Sequence, residues 1–481
     1  MPLRDTRVFW GLPALLLILM GFTLAGDSSA LLSDQIDQIL YEQRAEAAFW
    51  GIYVQDLSSG RVVAERNADK SFLPASNQKL LTAAAALDAL GTTFRYETRL
   101  HLDGTIEDGI LTGDLIIEGA GDPSFGSRNY ATDPLHTWAL GLKAQGVHTV
   151  RGRLIGDDDV FGDAAYASGW DLQHIATAAF APASSGLSYR DNLVHVEVTA
   201  GSPGRSPQTV AEPAGYLDVR NRATTTSRRR GRALRVDRPV GQELVHLEGR
   251  VGRSYRRTLR LPVANPTAFA VFAFAEHLKA VGIAVEAEQV DVDALGAPAA
   301  YDGTTVLFTH QSPPLADLLA EINKASNNLY AEQLFRTFGW GGTTRGGATR
   351  VLEFIRAQAI DAGGLSVRDG SGLSRKDLAS PRTLAGVLQA MHSHPERDVY
   401  LASLAQGGEP GTTLAHRLAD LPVQAKTGSL EHVRALSGYT TTRDGRTLNF
   451  VLLANHYTVP SYRVVQAMDA IVELISTRTS G

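Results

Sequence analysis

Ser76-Asn77-Gln78-Lys79, running on into Leu80-Leu81-Thr82-Ala83-Ala84-Ala85-Ala86-Leu87, is the stretch on which the fold of this 481-residue chain turns. Pro74 suits a helix entrance, the Leu/Ala run consists of strong helix formers, and Gly91 is a stop, so a helix is predicted to open near Ser76. Residues three apart share a helix face, which brings the Lys79 amine within reach of the Ser76 hydroxyl. The start of a helix is also its positive end, where an alkoxide or oxyanion is favoured.

Two further motifs follow in order, Ser326-Asn327-Asn328 and Lys426-Thr427-Gly428. Only seven of the 46 basic residues are lysines, and two of those seven lie in these motifs. Arginine cannot give up its proton in a protein, so a lysine three residues after a serine supplies an amine that can be neutral. In a chain with so few lysines a lone Ser-x-x-Lys is expected by chance about half the time, and Lys-Thr-Gly far less often. It is the ordered set of three that carries information, as a nucleophile, a base, a relay and a carboxylate clamp.

The flanking sequence predicts how these motifs are held. Gly51-Ile52-Tyr53-Val54 and Arg61-Val62-Val63-Ala64 surround Ser58-Ser59-Gly60 and read as a hairpin ahead of the serine helix. Residues 435–442 and 447–454 flank Arg443-Asp444-Gly445-Arg446 as a second hairpin, and Lys426-Thr427-Gly428 opens onto the strand before it. A closing helix carries Val464, Val465, Met468, Ile471, Val472 and Ile475 at helical spacing. The expected class is α+β, with one antiparallel sheet drawn from both chain ends and covered by helices. Residues 31–95 and 305–481 form this split unit. Residues 96–304, rich in short strand-like segments with Gly and Pro turns, form a β-rich insertion of two domains.

Composition excludes several classes. The net charge of −5 and the lack of a recognition motif give no case for nucleic acid. With no cysteine, thiol nucleophiles, disulfides and zinc–thiolate sites are out. No cofactor or metal site is implied. Asp157-Asp158-Asp159 reads as a solvated turn rather than a cation site. Arg4 and Arg7 before the apolar stretch from Val8 to Ala25 read as an export signal over residues 1–30, with an uncleaved anchor as the alternative. Either way the bulk of the chain lies outside the cytoplasm, with a peripheral membrane or envelope association as an accompanying option.

With the motifs placed, the chain resembles the class C low-molecular-mass penicillin-binding proteins, the DacB-type D-alanyl-D-alanine carboxypeptidase/endopeptidases. Gly119-Ala120-Gly121-Asp122-Pro123-Ser124, Asp369-Gly370-Ser371-Gly372-Leu373-Ser374-Arg375 and Ser437-Gly438-Tyr439 match family segments, as does the long insertion between the first two motifs. The resemblance implies a penicillin-binding-protein/serine β-lactamase-like catalytic domain, periplasmic location, peptidoglycan peptides as substrates and β-lactams as inhibitors. Where relatives carry an acidic pair between a Trp and Ala-Pro, this chain has Gln173-His174, with Asp171 two residues earlier.

The expected chemistry has neutral Lys79 taking the Ser76 proton as the oxygen attacks. Repulsion by Lys426 lowers the proton affinity of Lys79. Ser326 passes the proton on, Asn328 fixes Lys79 and the acyl chain, and Lys426 and Thr427 bind the substrate carboxylate. Gly428 adjoins them, and the backbone amides of Ser76 and Ser429 form the oxyanion hole. A non-catalytic penicillin-sensing module and a β-lactamase are the rival readings. Arginines crowd residues 228–260, read first as solvated loops and strand edges, and otherwise as a dock for an anionic envelope polymer.

Overall fold

In the computed structural model, which describes residues 28–162, 164–231, 233–296 and 298–479, both ends of the chain build one six-stranded sheet. Its order is Ala405–Gln406, Val423–Leu430, Val433–Thr441, Thr447–Asn455, Phe49–Asp56, Val62–Arg66, every pair antiparallel. Alternate side chains serve two cores, as the two-residue period of a strand requires. Trp50, Ile52, Val54, Phe450 and Leu452 face the terminal helices Ser28–Glu42 and Ser461–Ser476. Tyr53, Val451 and Leu453 face a layer that includes Gln78–Leu90, Leu315–Asn323, Asn328–Thr337 and Pro381–His392. The closing helix buries Val464, Met468, Ile471, Val472 and Ile475 as its spacing predicted, and Val465 is half-buried. Leu32, Ile36 and Leu40 fill the same role on the first helix. The leader expected over residues 1–30 lies, up to residue 27, outside the described residues. Among the described residues no helix is long and apolar enough to cross a membrane.

The inserted unit is β-rich as expected, with twelve strands from Glu97–Glu107 to Thr305–Gln311 against three α-helices among the described residues. A five-stranded sheet runs Ala284–Asp291, Thr149–Asp157, Ile110–Glu118, Glu97–Glu107, Thr305–Gln311, its first three strands parallel. Parallel neighbours need crossover connections, and helices Pro134–Ala144 and Pro266–Ala280 supply them, capped by Asp133 and Asn265 with proline in the first turn. The largest sheet of the unit is therefore mixed, parallel on one side and antiparallel on the other. Because Thr305–Gln311 pairs with Glu97–Glu107, the inserted segment closes at Gln311 rather than at residue 304. Two smaller sheets, one around Leu193–Thr199 and Arg256–Pro262 and one around Leu244–Val251, share a continuous core with the larger sheet, in which Val196, Leu247 and Leu261 join Leu154 and Phe269. Two separate cores are not formed.

Residues 161–188 of the inserted unit wrap the helix Asn328–Thr337. Arg336 donates to the carbonyls of Gly162 (3.1 Å) and Ala164, and Gln333 Nε2 donates to the Ser185 carbonyl (2.7 Å). Lys376 Nζ reaches Ser168 Oγ at 2.7 Å. The run Asp157–Asp159 is not a solvated turn. Asp158 accepts from Ser185 Oγ (2.8 Å) and Thr267 Oγ1 (2.6 Å), and the buried Asp157 accepts from the Tyr301 hydroxyl, so the carboxylates tie the wrap to the inserted sheet.

Candidate active site

Ser76 sits on a single 3-10 turn, Ala75–Asn77, and the α-helix starts only at Gln78. The predicted one-helix face is thus replaced by a sharper turn. Ala75 takes a positive φ of 47°, the kind of backbone cost that persists only where surroundings over-determine it. Two glycines allow those surroundings to close in. A Cβ on Gly372 (φ 83°) would stand 1.9 Å from the Ala75 carbonyl oxygen, and one on Gly428 would stand 3.0 Å from that of Pro74. Asn77 Nδ2 donates to Ser437 Oγ at 2.5 Å, pinning the turn to the sheet. Ser76 stays half-buried just ahead of the helix N-terminus.

The three motifs meet here. Lys79 Nζ lies 3.1 Å from Ser76 Oγ, 2.6 Å from Asn328 Oδ1 and 2.7 Å from the Ser371 carbonyl. Lys426 Nζ lies 2.9 Å from Ser326 Oγ and 3.0 Å from the Thr427 carbonyl. Both amines are fully buried, whereas Ser326 and Thr427 are half-buried and Ser429 is exposed at the cleft edge. Asn327 turns its side chain to cap the helix, accepting from Tyr330 N.

Burial pulls the Lys79 amine from the usual 10.5 down to about 7, while the charges of Asp369 and Glu332 pull it partly back up. Burial is thus the first cause, ahead of the repulsion expected between the two lysines. Lys426 likewise is held well below its ordinary value, by burial first and the Lys79 charge second. Lys426 presents no ammonium to solvent and donates instead to Ser326 Oγ and the Thr427 carbonyl.

Sequence reasoning missed the groups that orient these lysines. Glu332, one helical turn after Asn328, accepts from the backbone amides of Gly370 (3.0 Å) and Ser371 (2.8 Å), which aims the Ser371 carbonyl at Lys79. Burial, reinforced by the Asp369 charge, raises the Glu332 carboxyl to about 8. A protonated Glu332 still accepts both amides on one oxygen. Both shifts therefore favour an uncharged amine beside an uncharged carboxyl, as a dry interior demands. Asp369, buried, accepts from Trp170 Nε1 (2.8 Å), Gly372 N (2.6 Å) and Ser374 N (2.7 Å). The segment Asp369-Gly370-Ser371-Gly372 thus buttresses the site and also contacts it, through the Ser371 carbonyl.

Trp170 belongs to the inserted unit, as does Phe180, whose carbonyl accepts from Asn328 Nδ2 at 2.7 Å. With its amide nitrogen committed there, Asn328 must turn its oxygen to Lys79. The one sequence signal for Trp170 was its place before Ala181-Pro182. Asp171 spends its carboxylate capping the helix Leu172–Thr177, Gln173 is exposed, and His174 packs edge-on against Phe180 at 5.0 Å, so the acidic pair of the resemblance has no counterpart. Away from the cleft, Asp158, Asp291 and Asp293 bring one carboxylate oxygen each within 4.8 Å of one another.

Comparison with known proteins agrees with this geometry. A family model described as the D-Ala-D-Ala carboxypeptidase 3 (S13) family matches residues 32–477. The D-alanyl-D-alanine carboxypeptidase of Actinomadura sp. (strain R39) is 32% identical over 482 residues, covering 94% of this chain and 88% of that protein. D-alanyl-D-alanine carboxypeptidase DacB of Haemophilus influenzae is 27% identical over 431 residues, covering 87% and 88%. The crystal structure of penicillin binding protein 4 (dacB) from Haemophilus influenzae superposes with a TM-score of 0.80 at 26% identity, covering 92% of this chain and 99% of that one.

Proposed function

Since the chain belongs to the D-Ala-D-Ala carboxypeptidase 3 (S13) family, we propose that Ser76 is the nucleophile of a serine-type D-Ala-D-Ala carboxypeptidase and that Lys79 is its base. The enzyme acts on peptidoglycan peptides and binds penicillins. Ser76 Oγ attacks the carbonyl of the penultimate D-alanine while its proton passes to neutral Lys79. The tetrahedral oxyanion sits against the backbone amides of Ser76 and Ser429. The proton then passes from Lys79 to Ser326, hydrogen-bonded to Lys426, as the Ser326 hydroxyl gives its own proton to the departing amine, so the peptide bond breaks and both Lys79 and Ser326 are restored. Water then adds to the ester carbonyl and restores the Ser76 hydroxyl. Asn328 holds Lys79 and the acyl chain, and Thr427 with Gly428 and Lys426 forms the wall that receives the terminal carboxylate. Cutting a D-alanyl cross-link uses the same steps with a different leaving amine, so endopeptidase action belongs to the same site.

The observation that carries this reading is the buried Lys79 amine 3.1 Å from Ser76 Oγ and pulled down to about 7. A penicillin-sensing module has no use for such an amine. Residues 8–25 serve as the export signal or anchor, which puts the enzyme in the periplasm. The test is intact-mass spectrometry after incubation with a labelled penicillin, followed by peptide mapping. A stable adduct on the peptide holding Ser76, absent in Ser76→Ala, is expected. An adduct that persists in Ser76→Ala would remove the nucleophile assignment. Rapid drug loss without adduct means a β-lactamase, and intact drug without adduct means a non-catalytic module.

A further inference from the structure

The arginine-rich part of the inserted unit is far out of balance with the rest of the molecule. Residues 201–262 hold fourteen arginines against five carboxylates, a net charge of +9, so the remainder of a chain with total charge −5 carries −14. Such segregation creates a local positive potential that the net charge hides.

The structure gathers these arginines. An open cavity of about 1140 Å³ is lined by Arg228, Arg230, Arg235 and Arg250, with Glu248 as the single acidic group in its wall. All four are exposed, and among the described residues none forms an ion pair. The next turn is bonded directly to this cavity, through Arg253 N to the Arg228 carbonyl (3.0 Å) and Ser254 Oγ to the Arg229 carbonyl (3.1 Å). From there the strand Arg256–Pro262 leads away for about 20 Å, the length of seven strand residues. Its outward side chains include Arg256, paired with Glu197, and Arg260. Arg260 in turn lines a second cavity, of about 390 Å³, whose wall includes Ser326 and Asn328 together with the carboxylates Asp191 and Glu321. The row of arginines therefore starts at Arg260, on the edge of the catalytic cleft, and becomes strongly basic only farther out.

We propose that this surface is an extended subsite for peptidoglycan itself, holding the free carboxylates of stem peptides beyond the bond being cut. Continuity with the cleft decides the occupant: Arg260 shares a cavity wall with Ser326, so a polymer held at Ser326 lies beside the inner end of the arginine row. The guanidinium fork suits carboxylates bidentately, and exposed pairs are individually weak, so several arginines are needed to hold one strand. The small-peptide chemistry at Ser76 does not require this surface. The proposal rests on the peptidoglycan reading of the site.

The test uses the full chain and a variant combining Arg228→Gln, Arg230→Gln, Arg235→Gln and Arg250→Gln, with the corresponding four Arg→Lys changes as a charge-retaining control. D-alanine release from a soluble peptide ending in D-Ala-D-Ala is measured beside co-sedimentation with purified sacculi, before and after removal of wall-attached phosphate polymers, at 50 and 300 mM NaCl. Expected are soluble-peptide rates within about twofold for all three proteins, and sacculus binding that weakens with salt. The Gln variant should bind sacculi about tenfold more weakly, and the Lys control should retain most binding. Equal binding by the Gln variant, or binding indifferent to salt, overturns the proposal. Binding that vanishes when phosphate polymers are stripped also overturns it and names those polymers as the partner. A wild-type protein that releases no D-alanine from the soluble peptide is a different failure, that of the functional reading.

Discussion

Acylation by this enzyme should switch on with pH through a single group near neutrality, and the arrangement around Lys79 fixes the size of the effect. With its amine held at about 7, Lys79 is neutral in about 1% of molecules at pH 5, about 50% at pH 7 and about 90% at pH 8. The second-order rate of penicillin acylation should therefore rise about fiftyfold from pH 5 to 7 and only about twofold from 7 to 9. Glu332→Gln keeps an oxygen for the Gly370 and Ser371 amides, and because the Glu332 carboxyl is already uncharged below about 8 the change should leave the rising limb in place. Stability gives an independent check with a definite sign. The folded amine titrates below its unfolded value, so between about 7 and 10.5 the unfolded chain binds a proton that the folded chain does not. Stability should then climb with pH across that window, by up to about 1.4 kcal/mol per unit from Lys79 alone. The assay is stopped-flow acylation with a fluorescent penicillin at constant ionic strength, with melting temperatures measured at each pH. A rate that is flat between pH 5 and 8, or a limb that moves by a full pH unit in Glu332→Gln, refutes burial as the cause of the neutral lysine.

Two further substitutions probe the surroundings of the site. Trp170→Phe keeps the ring but removes the donor to Asp369, leaving a buried carboxylate short of one partner. It should cost about 1–3 kcal/mol in a urea melt and slow acylation, and an unchanged acylation rate would cut the inserted unit out of the site. Gly372→Ala should fail to acylate and should lose more than about 2 kcal/mol, because its Cβ would meet the Ala75 carbonyl on top of an unfavourable φ. Gly303→Ala, with φ 89° and open space around it, is the control and should lose only about 1–2 kcal/mol by the same melt.

The parts of this molecule that could be read in the sequence are those where a local rule and the tertiary structure agree. The two hairpins, the closing helix and the three motifs are each short and locally patterned, and they form the sheet and the cleft as the pattern implies. The helix Pro266–Ala280 escaped because its first ten residues carry no charge and bury Phe269, Val271 and Phe274, so a polar face appears only in the last turns at Glu276, His277 and Lys279. At its start only Asn265 and Pro266 announced it, as cap and first turn. Without that helix the neighbouring strands cannot be parallel, and so the parallel order inside the β-rich insertion was not legible.

The same limit hid Trp170, Phe180 and Glu332, and here the reason bears on the chemistry. Lys79 and Lys426 are activated by being dry, and neither is dry because of its own motif. Asn328 is oriented by a carbonyl 148 residues away, and Asp369 by an indole 199 residues away, both from the inserted unit. The strap of residues 161–188 also locks the helix that carries Asn328 and Glu332 through Gln333 and Arg336. If burial is what brings Lys79 to about 7, whatever loosens the strap lets water reach the amine and raises it toward 10.5. The insertion is then part of the base, and the three motifs transplanted without it would retain the distances but lose the neutral lysine that makes Ser76 a nucleophile.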